Sequence, residues 1–184
     1  MDYIGKPEIA TQKRVIKFFC EKLNYKYIGN LKDRENRNID ATKLTKWLVS
    51  QGYSETVSTR AVEMLINTAG NLQQNLYAAN KEVYELLKYG AKVKETADDT
   101  ETTVYFINWD ADKVGTNLFE IAEEVTVIEN NEKRPDLVIY INGIAVAVIE
   151  LKKSTVSVSN GIRQNLTNQR EMFIQPFFTT IQFC

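Results

Sequence analysis

The chain has 184 residues, enough for a domain with its own core, and its 43% hydrophobic and 26% charged residues exclude a disordered or collagen-like chain. A formal net charge of −1 excludes a module that holds DNA by its overall field, because phosphate contacts supply most of that affinity. The absence of histidine excludes histidine general bases, Ser-His-Asp hydrolysis and histidine metal sites, and the lack of a G-x-x-x-x-G-K-[ST] pattern excludes a P-loop ATPase.

What remains is carboxylate and lysine chemistry. Any nucleic acid would be met by a local basic rim or delivered by another element. No apolar run reaches the ~20 residues of a membrane span. The start, MDYIGKPEIA, lacks the pattern of a signal peptide. Two cysteines, Cys20 and Cys184, make no disulfide framework, so a reducing, cytoplasmic location is expected. The last residues, QPFFTTIQFC, are aromatic and apolar, where native termini are usually solvated; the chain is expected to be a fragment of a longer protein.

In chain order, residues 8–23 place Val15, Ile16, Phe18, Phe19 and Leu23 at helical spacing. Cys20 falls in this stretch and reads as a core residue. The polar run GNLKDRENRN reads as a loop. Residues 40–51 suit a second helix ending at Gly52. A third follows Ser54 as N-cap and stops before Gly70. Residues 71–90 form the most regular helical pattern, with Leu72, Leu76, Val83 and Leu87 on one face; Tyr77, Tyr84 and Tyr89 read as helix packing. Strands are then predicted at 102–109 and 118–129 from β-branched and aromatic residues. Glu120, Glu123 and Glu124 on the second read as solvent-exposed. A hairpin follows, then a helix over 160–173 capped by Asn160 and closed before Pro176. A helical part (1–92) and a sheet-plus-helix part (100–184) together predict one α/β domain, a sheet flanked by helices.

The hairpin, RPDLVIYINGIAVAVIELKKS, carries three charges at the ends of two apolar strands: Asp136, Glu150 and Lys152. Strands this apolar are normally central and covered on both faces, and Ala145 and Ala147, sharing a face with Ile149, would let a helix approach closely. Asn142-Gly143 is a turn signal compatible with two loop lengths. A clean two-residue turn pairs Ile141 with Ile144 and throws Asp136 and Glu150 onto opposite faces. A three-residue loop, or an equivalent bulge, puts Asp136, Glu150 and Lys152 on one face, because strand side chains alternate; the three-residue loop makes the two acids diagonal neighbours roughly 7–8 Å apart. That arrangement is the expectation. At ~7 Å and an effective dielectric of ~20, two carboxylates repel by roughly 2.4 kcal/mol, and a divalent cation or, in part, Lys152 would relieve this. Spacing alone leaves a plain acid–lysine ion pair open beside a metal site.

This hairpin resembles the nuclease motif of the R (restriction and motor) subunit of type I restriction enzymes, within the PD-(D/E)xK nuclease superfamily. Pro135-Asp136 matches the PD and Glu150-Leu151-Lys152 the ExK. The stretches KPEIATQKRVIKFF, LYAANKEVYELLKYGAKVK, FEIAEEVTVIE and VSVSNGIRQNLTNQ resemble the N-terminal part of such subunits in the same order, so the likeness covers nearly the whole chain. Gln164 matches the first residue of the Q-x-x-x-Y motif of some related nucleases, whereas the tyrosine position holds Asn168.

The resemblance implies a restriction-endonuclease-like mixed sheet of about four strands and a Mg²⁺-dependent endonuclease acting on double-stranded DNA within a complex with modification and specificity subunits. ATP would be used by the motor of the full-length subunit and not by this chain. Asp136, Glu150 and the backbone carbonyl of Leu151 would bind Mg²⁺. Lys152 would hold or deprotonate the attacking water, and Gln164 would orient the lysine, water or phosphate. Glu8 is the candidate for the upstream helical acid of the superfamily, beside its plain reading as a helix-start acid. Arg163, Lys153 and Arg134 are the candidate DNA contacts, with Lys133 and Arg170 completing a basic rim. The alternatives are an inert docking domain linking the motor to its partners, or a stand-alone repair nuclease of the superfamily.

Overall fold

A computed structural model describes residues 8–73, 75–152 and 158–184. Among these the helices are α1 (Glu8–Leu23), α2 (Ala41–Ser50), α3 (Glu55–Gly70), α4 (Leu76–Tyr89) and α5 (Val158–Asn168). The strands are β1 (Lys26–Asn30), β2 (Ala91–Val93), β3 (Thr102–Val104), β4 (Phe119–Glu123), β5 (Val127–Ile128), β6 (Glu132–Lys133), β7 (Leu137–Ile141) and β8 (Ile144–Ile149). The main sheet is mixed, in the order β1-β4-β7-β8. β1 runs parallel to β4, and the other neighbours are antiparallel. The expected α/β architecture, a four-stranded mixed sheet behind a helical first half, is what the chain adopts.

Side-chain caps fix the helix starts. Asp40 accepts from Lys43 N–H, Ser54 from Val57 N–H and Asn75 from Ala78 N–H, satisfying backbone donors that a helix leaves open. The Asn75 cap starts α4 at Leu76, so residues 71–73 and 75 stand outside the helix predicted there. Conversely, α5 begins at Val158, which puts Asn160 inside the first turn instead of at the cap. It ends at Asn168, and a 3₁₀ turn over Gln175–Thr179 follows.

The sheet separates two apolar layers. Ile121, Leu137 and Ile139 face the helices and pack with Leu44, Trp47, Leu65, Val83 and Phe106. Ala122, Val138, Tyr140 and Val148 face the other way, onto Leu31, Val125, Ile174, Phe177 and Phe178. The second layer is closed mainly by the 3₁₀ segment. Cys20 is half-buried at the margin of the helical layer.

Two predicted strands are shorter than expected. The pattern over 102–109 yields β3 alone; Phe106 and Ile107 are buried outside it. The run 118–129 breaks at Glu124, whose φ is 51°. A left-handed residue there redirects the chain, so that Val125 and Val127 enter the second layer. The expected solvent exposure of the three glutamates also fails. Glu120 is 4% exposed and its carboxylate meets Lys43 Nζ at 2.7 Å, while Glu123 and Glu124 are half-buried. The three tyrosines of α4 fail in the opposite sense. Tyr77, Tyr84 and Tyr89 are exposed, and the last two flank the Lys88 ammonium at 5.5 and 5.0 Å.

The hairpin meets the register expectation through a bulge and not through the loop. Its loop is the two-residue Asn142-Gly143 turn, with Ile141 opposite Ile144 and φ of 54° and 88°, the left-handed pair that matches strand twist. The three-residue loop is therefore not formed. A bulge supplies the extra residue instead: Tyr140 pairs with Ala145 and Ile139 with Ala147, leaving Val146 without an opposite number. The cause lies on the outer edge of β8. Ile39 bridges Ile144, and Ala145 N–H donates to Asn38 C=O; beyond the bulge, Gln182 and Phe183 N–H both donate to Val146 C=O. Two segments cover one edge, and the bulge stands where one gives way to the other. β8 is thus the outer strand with a covered edge, not a central one. The bulge also separates the two alanines: Ala145 joins the second layer while Ala147 and Ile149 pack on the helical layer.

Candidate active site

Beyond the bulge Val138 faces Val148 and Leu137 faces Ile149. Extending this register puts Asp136 opposite Glu150, on the same face. The carboxylates are direct cross-strand partners and not the diagonal pair expected. Leu151 N–H donates to Asp136 Oδ2 at 2.7 Å, which locks the end of β8 to the start of β7. Gln164, brought in by α5, donates from Nε2 to Glu150 Oε2 at 2.7 Å. Gly161, one turn earlier on α5, leaves its missing side chain's place 3.7 Å from Lys152 Cγ, so the lysine stem lies under the helix.

Burial, followed by the neighbouring Asp136 charge, pushes the Glu150 carboxyl up to about 8, against an opposing pull from Lys152. With one proton between them, Asp136 and Glu150 hydrogen-bond. With none, Glu150 keeps a buried Oε1 that has no hydrogen-bond partner among the described residues. A buried acceptor without a partner costs about 1–3 kcal/mol, more when charged. Lys152 does not close this gap as the plain ion-pair reading requires: its Nζ stands 3.7 Å from Glu8 Oε1.

Glu8 is the first residue of α1, as its plainer reading as a helix-start charge has it, and it also meets Lys152. α1 carries Glu8 to Lys152 and, four residues on, Gln12 to the strand ends. Gln12 is 5% exposed, and its Nε2 lies 3.1 Å from Glu123 Oε2, 3.5 Å from Glu124 Oε1 and 3.5 Å from the Asp136 carbonyl. Tyr27 O–H donates to Glu123 Oε1 at 2.8 Å, and burial followed by this bond to Glu123 pushes the phenol up to about 12. Neither Gln12 nor Tyr27 figured in the sequence expectations. For Gln12 the signal existed: it stands one helical turn after Glu8, on the same face.

The expected basic rim is only partly assembled. Arg163 is exposed on α5. Arg134 Nε meets Glu124 Oε2 at 2.9 Å, and Lys133 Nζ sits 4.2 Å over the Phe173 ring. Arg170 is exposed. Lys153 lies outside the described residues. The loop that holds Lys133 and Arg134 is pinned to the segment after α5, since Asn130 and Asn131 amides donate to Glu171 and Met172 carbonyls at 2.7 and 2.5 Å.

A divalent cation fits this donor set. Two carboxylates, one with a buried oxygen lacking a partner, offer the hard oxygen ligands that Mg²⁺ takes with several retained waters. Among the described residues no third Asp, Glu or Cys joins them in a metal-binding group, so most of the coordination would fall to water. Leu151 is held beside Asp136 through its N–H, which places its peptide at the pair.

Comparison with known proteins places the chain in a family. Residues 6–184 match the family described as type I restriction enzyme R protein N terminus. An archaeal protein of Methanocaldococcus jannaschii, provisionally named as the endonuclease subunit of the type I restriction enzyme MjaIXP, is 27% identical over 145 residues, 75% of this chain and 13% of its own length. The type I restriction enzyme SsaAORF53P endonuclease subunit of Staphylococcus saprophyticus is 26% identical over 152 residues, 72% of this chain and 16% of its own. The chain thus spans under a fifth of the length of either relative. Matched over nearly all of its residues, it belongs to the family of type I restriction enzyme R protein N termini.

Proposed function

We propose that this chain is a Mg²⁺-dependent DNA endonuclease domain, which cuts phosphodiester bonds of double-stranded DNA as part of a type I restriction assembly with modification and specificity subunits. The cytoplasm, where such DNA is met, is its place of work. The single observation that carries the reading is the facing pair of Asp136 and Glu150 carboxyls, which, once both are ionised, leaves a Glu150 oxygen with no hydrogen-bond partner among the described residues. A plain acid–lysine pair would set Lys152 on these acids, but its Nζ meets Glu8 instead.

Asp136 and Glu150 hold the cation, Asp136 fixed through Leu151 N–H and Glu150 through Gln164. Bound Mg²⁺ supplies a water of lowered pKa and positive charge against the phosphate. Lys152, whose ammonium pairs with Glu8, donates to the attacking water to orient it and offsets phosphate charge; to accept the water's proton it would first have to give up its own. Arg163 meets the DNA backbone from the exposed side of α5, while Arg134 must first leave Glu124 to do so. ATP belongs to the motor portion of full-length subunits.

Calorimetric titration of the chain with Mn²⁺, compared with Asp136→Asn, tests the reading. Binding in the parent that disappears in the variant supports it. Absence of binding in the parent leaves the acid pair as structure alone and favours an inert docking domain.

A further inference from the structure

We propose that Gln12 is a positioning residue, the joint that ties α1 to the strand carrying Asp136 and thereby sets both the Asp136 peptide and the stand of Glu8 against Lys152. This rests on the reading of Asp136 and Glu150 as cation ligands.

Gln12 is the buried side chain of α1; the apolar residues Val15, Ile16 and Phe19 of the same helix are only half-buried. Burying an amide is unfavourable unless its hydrogens find acceptors. Here one amide nitrogen, with two hydrogens, faces three acceptors on β4, the residue after it, and the start of β7. The two carboxylates do not depend on it. Glu123 is also served by Tyr27 O–H at 2.8 Å and Asn30 Nδ2 at 3.4 Å, and Glu124 by Arg134 at 2.9 Å. The Asp136 carbonyl already accepts from Glu124 N–H at 2.9 Å. Gln12 adds a fixed attachment of α1 at the point where the ligand strand begins. Glu8, one turn earlier on the same face, is carried with it to Lys152. Sliding or rolling α1 would move the acid that holds the lysine and loosen the peptide of the first ligand together.

Gln12→Met keeps the length and charge and removes both donors; Gln12→Asn keeps the amide and withdraws it by one methylene. Neither changes the charge near the cation, so a change in affinity reports geometry. Mn²⁺ titration of the full chain is read beside thermal melting. Folded variants should bind Mn²⁺ about 10-fold more weakly than the parent, as for other groups that orient a metal ligand. A role in stability alone would lower the melting temperature and leave the affinity of the folded protein intact, which overturns the proposal. Failure of both variants to fold overturns it equally, by making Gln12 a plain structural residue. Parent protein that binds no Mn²⁺ defeats the cation-site reading itself; parental binding with unchanged variants defeats only the role of Gln12.

Discussion

Asp136 and Glu150 stand opposite each other because Val146 is an extra residue in β8. The turn alone would have set them on opposite faces; one bulged residue reverses the parity of everything beyond it. The resulting contact between half-buried acids has a measurable consequence in the absence of metal. The Glu150 carboxyl, raised to about 8 by burial and by Asp136, binds its proton more tightly folded than unfolded, where the group titrates near ~4.3. The folded state therefore holds more protons than the unfolded state between those values. Stability from this group is full below the lower value and is lost as pH rises through the higher one. We expect metal-free protein to lose up to about 4 kcal/mol between pH 5 and pH 8.5, seen as a falling melting temperature, with the fall largely absent in Glu150→Gln. A melting temperature that rises over this range would contradict the shared-proton arrangement.

Lys152 and Asp136 should separate binding from chemistry. Lys152 Nζ is held by Glu8, outside the carboxylate pair, so Lys152→Met should leave Mn²⁺ affinity within about threefold while cleavage by the assembled restriction enzyme falls by roughly 10²–10⁴-fold. Asp136→Asn should lose both. Cleavage at the parental rate in Lys152→Met would remove the lysine from the chemistry.

Much of the helical half is legible in the sequence. α2 and α3 carry their own caps, and caps are local signals in the residues Asp40 and Ser54. The acid pair was readable as a parity condition, but not the means of meeting it. The bulge at Val146 answers Gln182 and Phe183 pairing along the edge, contacts more than thirty-five positions away that no local pattern encodes. The run read as a loop from Gly29 onward overlaps the end of β1 (Lys26–Asn30), where Gly29 takes φ 103°; the strand comes from pairing with β4. Glu120 shows the same limit from the polar side: its burial depends on Lys43, contributed by a helix seventy-seven residues earlier.

Asn142 is the hinge of the hairpin. It takes φ 54°, accepts from Leu118 N–H at 2.7 Å, and donates to Phe106 C=O at 2.8 Å and Asn117 Oδ1 at 2.9 Å, wholly buried. Asn142→Ala forces an alanine into the left-handed region and takes the side-chain partner from Leu118 N–H and Phe106 C=O, while Asn117 Oδ1 keeps its bond from Asn108 N–H, so we expect a loss of about 3–5 kcal/mol. Asn142→Gly should be about 1 kcal/mol milder, because glycine accepts that backbone freely. Chemical denaturation of both variants separates the backbone share from the hydrogen-bond share; equal losses would show that backbone conformation contributes little here.

The Lys43–Glu120 pair fixes the sheet at the same end, beside the hairpin turn. Glu120 on β4 is buried beside Tyr27's strand and Tyr140, and Lys43, near the start of α2, reaches it at 2.7 Å with its side chain 31% exposed. Removing one member of a buried pair leaves a desolvated charge, a loss of about 3–5 kcal/mol when both are dry. Partial exposure of Lys43 lets water reach the bared carboxylate, so we expect about 2–3 kcal/mol for Lys43→Met. Adding Glu120→Gln to Lys43→Met should recover most of that loss, since no charge is then left stranded. Urea denaturation of the single and double variants checks this, and a double variant no more stable than Lys43→Met would mean that the lysine acts through its packing against the hairpin turn, where Lys43 Cβ lies 3.2 Å from the position a Gly143 side chain would take.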